Sequence, residues 1–239
     1  MDRVILHCDL NAFYASCEAL YHPEYKGLPL AVGGDPAQRQ GIILAKNQLA
    51  KEVGVQTGEA IWQAKKKCPG LIVVLPDYEK YHMFSHRVRQ IFLEYTDLVE
   101  PFGLDEAWLD VTGSQKLFGA GKTIADTTCI TKQNKKQIVD PLPVSDLLNV
   151  GRATAVTLHG MGIRTIGDLS NADRTILSKR LGKAGDMLWT YANGLDPSEV
   201  RPYDYHEDNK SFGHTVTPPK DLTDIHQIRP IFYILTQDI

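Results

Sequence analysis

"FGLDEAWLDV", residues 102–111, sets two adjacent carboxylates, Asp105 and Glu106, inside an otherwise apolar stretch. On a strand, neighbouring side chains point to opposite faces, so one of the pair would enter a core. A buried carboxylate without a partner is costly and tends to take up a proton instead. A tight turn between two strands removes the conflict. Both side chains then reach one solvent-filled cleft, where a cation would satisfy them. A plain solvated hairpin turn is the alternative for the pair taken alone.

The flanking sequence supports a hairpin. "LVEPFG" (98–103) and "AWLDVTG" (107–113) read as two strands. Before them, "YEKYHMFSHRVRQIFLEYT" (78–96) carries helically spaced Tyr81, Phe84, Val88, Ile91 and Phe92. At the N-terminus "RVILHCD" (3–9) reads as a buried strand ending at Asp9. The following "AFYASCEALYH" (12–22) reads as a helix with Phe13, Cys17 and Leu20 on one stripe. "LPLAVGG" (28–34), "GIILAKN" (41–47) and "LIVVLP" (71–76) read as strands. "QLAKEVG" (48–54) and "GEAIWQAKKKCPG" (58–70) read as helices with glycine stops.

From Asp140 onward, short helices are joined by glycine turns. In "LLNVGRATAVTLHGMGIRTIGDLS" (147–170), a glycine hairpin between two helices would expose free N–H groups at the second helix's N-terminus. Such an end binds phosphate; an ordinary helical hairpin is the competing reading. "NGLDPSEVRPYDYHED" (193–208) reads as a polar linker. "KSFGHTVT" (210–217) reads as a strand, and "DLTDIHQIRPIFYILTQDI" (221–239) as the start of a helix.

Composition narrows the class. A chain of 239 residues with 43% hydrophobic and 23% charged content is that of a soluble globular protein, with no apolar run long enough to span a bilayer. Cys8, Cys17, Cys68 and Cys129 form no CxxC pair and read as reduced core thiols, which points to the cytoplasm. The formal net charge of −3 argues weakly against nucleic acid. Its distribution matters more: acidic residues gather around Glu94–Asp110, and basic clusters lie at Lys65–Lys67, Lys132–Lys136 and Arg174–Lys183. A protein holding both metal ions and a polyanion would show this pattern. Asp9 at a strand end, beside a hairpin bearing Asp105 and Glu106, is a workable oxygen cage for divalent cations, with Mg²⁺ the best match. Asp9 serves equally well as a helix N-cap.

"CDLNAFYASCE", "GIILAKNQLAKEVGV", "GEAIWQAKKKCP", "PFGLDEAWLDVTGS" and "LLNVGRATAVTLHGMGIRTIGDL" stand here in the order found in Y-family translesion DNA polymerases. The chain resembles the bacterial DNA polymerase IV branch over most of its length. The resemblance implies an α+β right-hand arrangement: a ferredoxin-like palm, small α/β fingers, a helical thumb and the start of a little-finger domain. On this sequence the palm would be 1–15 and 78–139 and the fingers 16–77. The thumb, with its helix-hairpin-helix, would be 140–200, the tether 201–209 and the little finger 210–239.

The same resemblance implies a catalytic metal site of Asp9, Asp105 and Glu106, with the Leu10 carbonyl as a further ligand to two Mg²⁺ ions. Phe13 and Tyr14 would lie under the nucleotide sugar, with Tyr14 the steric gate against a ribose 2′-OH. Packing at the start of a helix is the plainer role for Tyr14. Gln48 and Lys51 stand where relatives commonly carry Tyr and Arg on the triphosphate; Lys51 offers a point charge and Gln48 a neutral hydrogen bond. Gly58, Gly151 and Arg152 would contact DNA. The implied partners are primer-template DNA and dNTP, with the sliding clamp for a full-length form and no membrane.

Two departures accompany the match. After "LFGAGKTIAD" (117–126) the sequence passes at once to "TTCITKQNKKQIV" (127–139), so a few dozen palm residues are missing, among them a lysine that relatives aim at the triphosphate. Only the opening strand and part of one helix of the little finger follow Lys210, leaving Ile228, Phe232 and Leu235 as an uncovered stripe. The expected activity is template-directed addition of deoxynucleotides to a primer 3′-OH, in DNA damage tolerance and repair. A catalytically impaired DNA-binding remnant and a fragment without function are the alternatives. The palm is expected to be a reduced sheet, joined near Asp126–Thr128.

Overall fold

The computed structural model describes residues 3–35, 41–118, 128–206, 211, 213, 215–218 and 220–237. The chain divides into two compact units, Met1–Ala120 with Val200–Ile239, and Gly121–Glu199.

In the first unit, β1 (Ile5–Asp9) leads to α1 (Phe13–Tyr21), then β2 (Leu30–Gly33) and β3 (Ile43–Lys46). Next come α2 (Gln48–Glu52), α3 (Ile61–Lys67) and β4 (Ile72–Val74). The long α4 (Tyr78–Leu93) precedes β5 (Val99–Phe102), β6 (Glu106–Asp110) and α5 (Gln115–Phe118). The second unit holds α6 (Lys135–Ile138), α7 (Arg152–Gly160), α8 (Ile166–Asn171), α9 (Arg174–Leu181) and α10 (Lys183–Ala192). Finally α11 (Ile225–Gln237) belongs to the first unit.

Two strands do flank the carboxylates as a hairpin, with Asp105 in the turn and Glu106 opening β6. β1, β6 and β5 form an antiparallel sheet in that order, with Asp9 opposite Glu106 and Phe102 also opposite Glu106. Strand alternation sends Cys8, Ala107 and Leu109 to one face, against Phe92 and Leu93 of α4. It sends Ile5, His7 and Asp9 to the other, which stays open. The buried strand predicted at 3–9 is therefore half-exposed: α4 covers one face only. Among the described residues the sheet has three strands with β1 at its edge. Residues 126–127 of the expected palm junction lie outside the described residues. A second sheet, ordered β3-β2-β4, pairs β2 with β3 antiparallel and with β4 parallel. Its strand β2 is buried along its whole length.

On α1 the buried residues are Phe13, Ala15, Cys17 and Glu18. Leu20, expected on that stripe, is 64% exposed, while Glu18 is 3% exposed. The exchange has a partner-based cause: Tyr81 Oη donates to Glu18 Oε1 at 2.6 Å, and Lys80 Nζ donates to Glu18 Oε2 at 2.8 Å. A buried carboxylate is tolerated when it is paired and hydrogen-bonded in this way. Burial, followed by the Glu18 charge, pushes the neighbouring Cys17 thiol up to about 11. Burial and the bond to Glu18 likewise raise the Tyr81 hydroxyl.

The strand predicted over 210–217 is not formed at 211, 213 or 215–217. A strand is stable only on a ladder partner, and the described residues of this segment pair with neither sheet. The helix predicted after it is present as α11, although Pro230 removes one helical N–H donor. Ile225, Phe232, Tyr233 and Ile234 along it are exposed.

The second unit is built around Val144, Leu158, Leu169, Leu177 and Leu188, all fully buried. α9 and α10 approach closely at Gly185, where an added Cβ would press on the Leu177 carbonyl. Gly185→Ala is therefore expected to cost about 2 kcal/mol or more, as overpacking against backbone does. Thermal unfolding measures this; an unchanged transition would contradict such close packing.

Candidate active site

β1 ends at Asp9, and the chain turns through Leu10–Ala12 into α1. Ala12 takes a left-handed conformation (φ 53°, ψ 39°) as the residue preceding the helix. Asp9 is thus not the N-cap of α1. The Leu10 N–H donates to the Asp105 carbonyl at 2.9 Å, tying this turn to the β5–β6 hairpin. From α4, Arg89 donates to the Gly103 carbonyl, and Gly103 supplies the positive φ of 75° that the tight turn needs. The hairpin is thereby fixed from both sides.

A cleft of ≈ 220 Å³ opens beside this joint. Asp9, Leu10, Ala12, Phe13, Tyr14 and Asp105 line it from the strand and hairpin side, and Leu44, Ala45, Lys46 and Thr57 from the other. Burial raises the Asp105 carboxyl above its ordinary value, its own backbone N–H opposes this, and the charges of Asp9 and Glu106 raise it further. Two carboxylates on one wall, with a third in electrostatic reach, form a hard-oxygen donor set whose mutual repulsion a divalent cation would relieve.

Glu106 does not line the cleft. Its Oε2 meets His7 Nε2 at 2.9 Å on the open sheet face, and the His7 ring stacks on Trp108 at 4.2 Å. Like charges repel, and His7 offers Glu106 a partner away from Asp105. Among the described residues, no three His, Cys, Asp or Glu side chains are grouped so as to hold a metal ion. The cleft brings together Asp9 and Asp105, with Glu106 opposite Asp9 in register.

Tyr14 lines the cleft and also takes the packing role read for it at the start of α1. Its ring stacks on Tyr81 at 4.3 Å with planes 9° apart, and meets Tyr78 edge-on at 6.2 Å. Burial, then Asp105, then Tyr78 raise its hydroxyl. Phe13 is 7% exposed and forms a small core with Cys17 and Tyr81.

Gln48 and Lys51 lie on α2 and are exposed; neither lines the cleft. The Gln48 amide instead donates to Glu52 at 3.1 Å. Lys46 and Thr57 take the place on the lining, with Lys46 Nζ donating to Thr57 Oγ1 at 3.1 Å. Sequence reading passed over both. The available signal was strand alternation, which puts Lys46 on the same side as Leu44. Gly58 sits at φ 83° with its N–H donated to the Ile43 carbonyl at 2.7 Å, so a turn accounts for that glycine locally.

In the second unit, Gly151 is the N-cap of α7 with no side-chain cap, and Arg152 is exposed beside it. The hairpin's other start, α8, is already filled. Thr165 accepts from the Asp168 N–H, and Asp168 accepts from the Arg164 and Thr165 N–H groups. Those bonds hold the Asp168 carboxyl below its usual range. The phosphate-binding end predicted at the second helix is thus occupied by its own capping box. The first helix, at Gly151, keeps its donors.

Comparison with known proteins fits this geometry. Residues 8–142 match the impB/mucB/samB family, and 145–196 match the thumb domain of DNA polymerase-iota. A Y-family DNA polymerase chimera of known structure superposes with a TM-score of 0.79 at 23% identity, covering 98% of this chain and 78% of its own. An insertion ternary complex of Dbh DNA polymerase gives 0.70 at 21% identity, covering 82% of this chain and 69% of its own. DNA polymerase IV of Acetivibrio thermocellus is 43% identical over 100% of this chain and 69% of its own length. The chain belongs to the Y-family DNA polymerases, in the DNA polymerase IV group. DNA polymerase IV 2 of Halalkalibacterium halodurans is 35% identical, again over 100% of this chain and 68% of its own.

These two alignments run over 275 and 278 positions and exceed the 239 residues of this family member by 36 and 39. At least that many positions of those Y-family relatives therefore have no counterpart inside the aligned chain. This agrees with the few dozen residues judged missing from the sequence itself.

Proposed function

We propose that this Y-family chain is a template-directed DNA polymerase of the translesion type, acting in DNA damage tolerance and repair. The observation that carries the reading is the cleft: Asp9, Asp105 and Tyr14 line one small cavity, in a chain aligned throughout with a DNA polymerase IV. The reaction forms a bond from the primer 3′-oxygen to the α-phosphorus of a dNTP and breaks the bond to the β-phosphate, releasing pyrophosphate.

Asp9, Asp105 and the Leu10 carbonyl would hold two Mg²⁺ ions, joined by Glu106 once its carboxylate leaves His7. When bound, those ions stabilise the attacking and leaving oxygens of an in-line displacement. The chain's own groups do the positioning. The hairpin fixes the carboxylates, Phe13 floors the cleft, and the Tyr14 ring occupies the space beside the sugar. Gly151 and Arg152 at the start of α7 would take a DNA backbone phosphate, with a contribution that weakens as salt rises. Gly58 allows the fingers backbone a close approach to DNA. The domains would run as palm, fingers, thumb and little finger in the bounds set out above. Free Cys8, Cys17, Cys68 and Cys129 support a cytoplasmic location. Among the described residues no helix is long and apolar enough to cross a membrane. A longer form would also meet the sliding clamp.

Single-nucleotide incorporation opposite each templating base tests this reading: the dNTP added must follow the template. Addition regardless of template would contradict it. Tyr14→Ala is expected to raise ribonucleotide use relative to deoxyribonucleotide by about tenfold or more, because the excluding ring is gone. Tyr14→Phe keeps the ring and should keep the ratio. Equal ratios in all three proteins would remove the gate. A DNA-binding remnant is the second reading, favoured by the 36 positions by which the alignment with the Acetivibrio relative exceeds the chain.

A further inference from the structure

The cleft holds two carboxylates, yet its substrate under the polymerase reading carries a triphosphate. A cationic side chain facing that group would add a charge-assisted contact to whatever bound metal supplies. Among the lining residues described, Lys46 is the one with a positive charge. It is the last residue of β3, paired with Ala31 of β2, and the next residue fixes the backbone further. The Asn47 N–H donates to the Leu30 carbonyl at 2.9 Å, and its side chain accepts from the Ala50 and Leu30 N–H groups. The Lys46 stem therefore starts from a rigid point.

Its head is also placed. Thr57 Oγ1 takes one of the three ammonium donors and itself lines the cleft. Two donors are left for a ligand. Glu59 lies within electrostatic reach of Lys46, but its ion pair is with Lys67 at 2.6 Å. Lys51 stands off the lining on α2.

We propose that Lys46, braced by Thr57, is the residue that binds the polyphosphate of the incoming nucleotide. The inference deepens the polymerase reading and rests on it for the identity of the ligand. A DNA backbone phosphate would present the same chemistry. The nucleotide is favoured because Lys46 shares its cavity with Asp9, Asp105 and Tyr14, where the reacting end of a nucleotide would lie.

The test measures two affinities on the full chain with Mg²⁺: dNTP without DNA, and primer-template without dNTP. Lys46→Ala is expected to weaken dNTP binding by about tenfold or more, the loss typical of one charge-assisted contact. Lys46→Arg should keep affinity within about threefold, since the charge remains. Thr57→Val should fall between them, and Lys51→Ala should lose less than Lys46→Ala. Primer-template affinity of Lys46→Ala should stay near that of the unaltered chain, and thermal unfolding of each variant checks the fold. Unchanged dNTP binding by Lys46→Ala, a loss confined to DNA, or no dNTP binding by the unaltered chain would each overturn the proposal. Extension with an unchanged dNTP requirement in Lys46→Ala sinks this inference alone. Lys46-dependent dNTP binding without extension sinks the polymerase activity and leaves the inference standing.

Discussion

Asp105→Asn is expected to lower single-nucleotide incorporation by about 10³-fold or more, the scale expected when a group stabilising charge in a phosphoryl displacement is removed. The substitution is nearly isosteric, and the bond from the Leu10 N–H goes to the Asp105 main-chain carbonyl, so the hairpin keeps its anchor. Stability should move the other way. Burial, with Asp9 and Glu106, raises the Asp105 carboxyl, so its charged form is disfavoured in the fold. A raised carboxyl contributes stability that is complete below the ordinary aspartate value of about 3.9 and is lost as pH rises through the higher folded value. Asparagine stays neutral throughout. Without divalent cations at pH 7, Asp105→Asn should unfold at the same temperature as the unaltered chain or higher, and the advantage should vanish in acid. Full incorporation by this variant would remove Asp105 from the chemistry. A marked loss of stability would show that its charge is paired rather than repelled.

Glu18→Ala is the second large effect, and it acts through packing. The Glu18 side chain is 4% exposed and that of its partner Lys80 is 13% exposed. Removing one member of such a pair costs about 3 kcal/mol or more, because the other charge loses its compensation. Lys80 retains Asp77 at 3.6 Å, which softens the loss, but the fully buried Tyr81 hydroxyl loses its acceptor. Glu18→Gln still offers Tyr81 an oxygen and should cost roughly half as much. The Tyr81 ring also carries the stacked ring of Tyr14. Loss of Glu18 should therefore weaken discrimination against ribonucleotides as well as lower the unfolding temperature. An unchanged unfolding temperature in Glu18→Ala would show that the buried pair contributes little.

The same network marks where sequence reading stops. Periodicity and glycine stops located β1–β6 and α1–α4, because each is signalled within a short window. The hairpin around Asp105 and Glu106 was legible for that reason. Glu18 was not: an apolar-stripe reading prefers Leu20, and Glu18 is buried only because partners 62 and 63 residues away satisfy it. The place of Lys46 on the cleft was not legible from the helix carrying Gln48 and Lys51, although strand alternation puts it on the side of Leu44. The free N–H groups read at the start of the second helix of 147–170 are capped in α8, although the cue was present. Thr165 followed three residues later by Asp168 is a capping-box pattern, and it closes the second helix to an anion. At 211, 213 and 215–217 of the expected strand no ladder pairing is formed, and local pattern does not reveal long-range pairing.

Primer extension by the purified 239-residue chain, run beside primer-template binding in the same buffer, tests the central claim most directly. The predicted result is stepwise templated extension that stops on chelation and resumes when Mg²⁺ is restored. Intact primer-template and dNTP binding with no extension at any Mg²⁺ concentration would contradict it and leave the chain a DNA-binding remnant of its family.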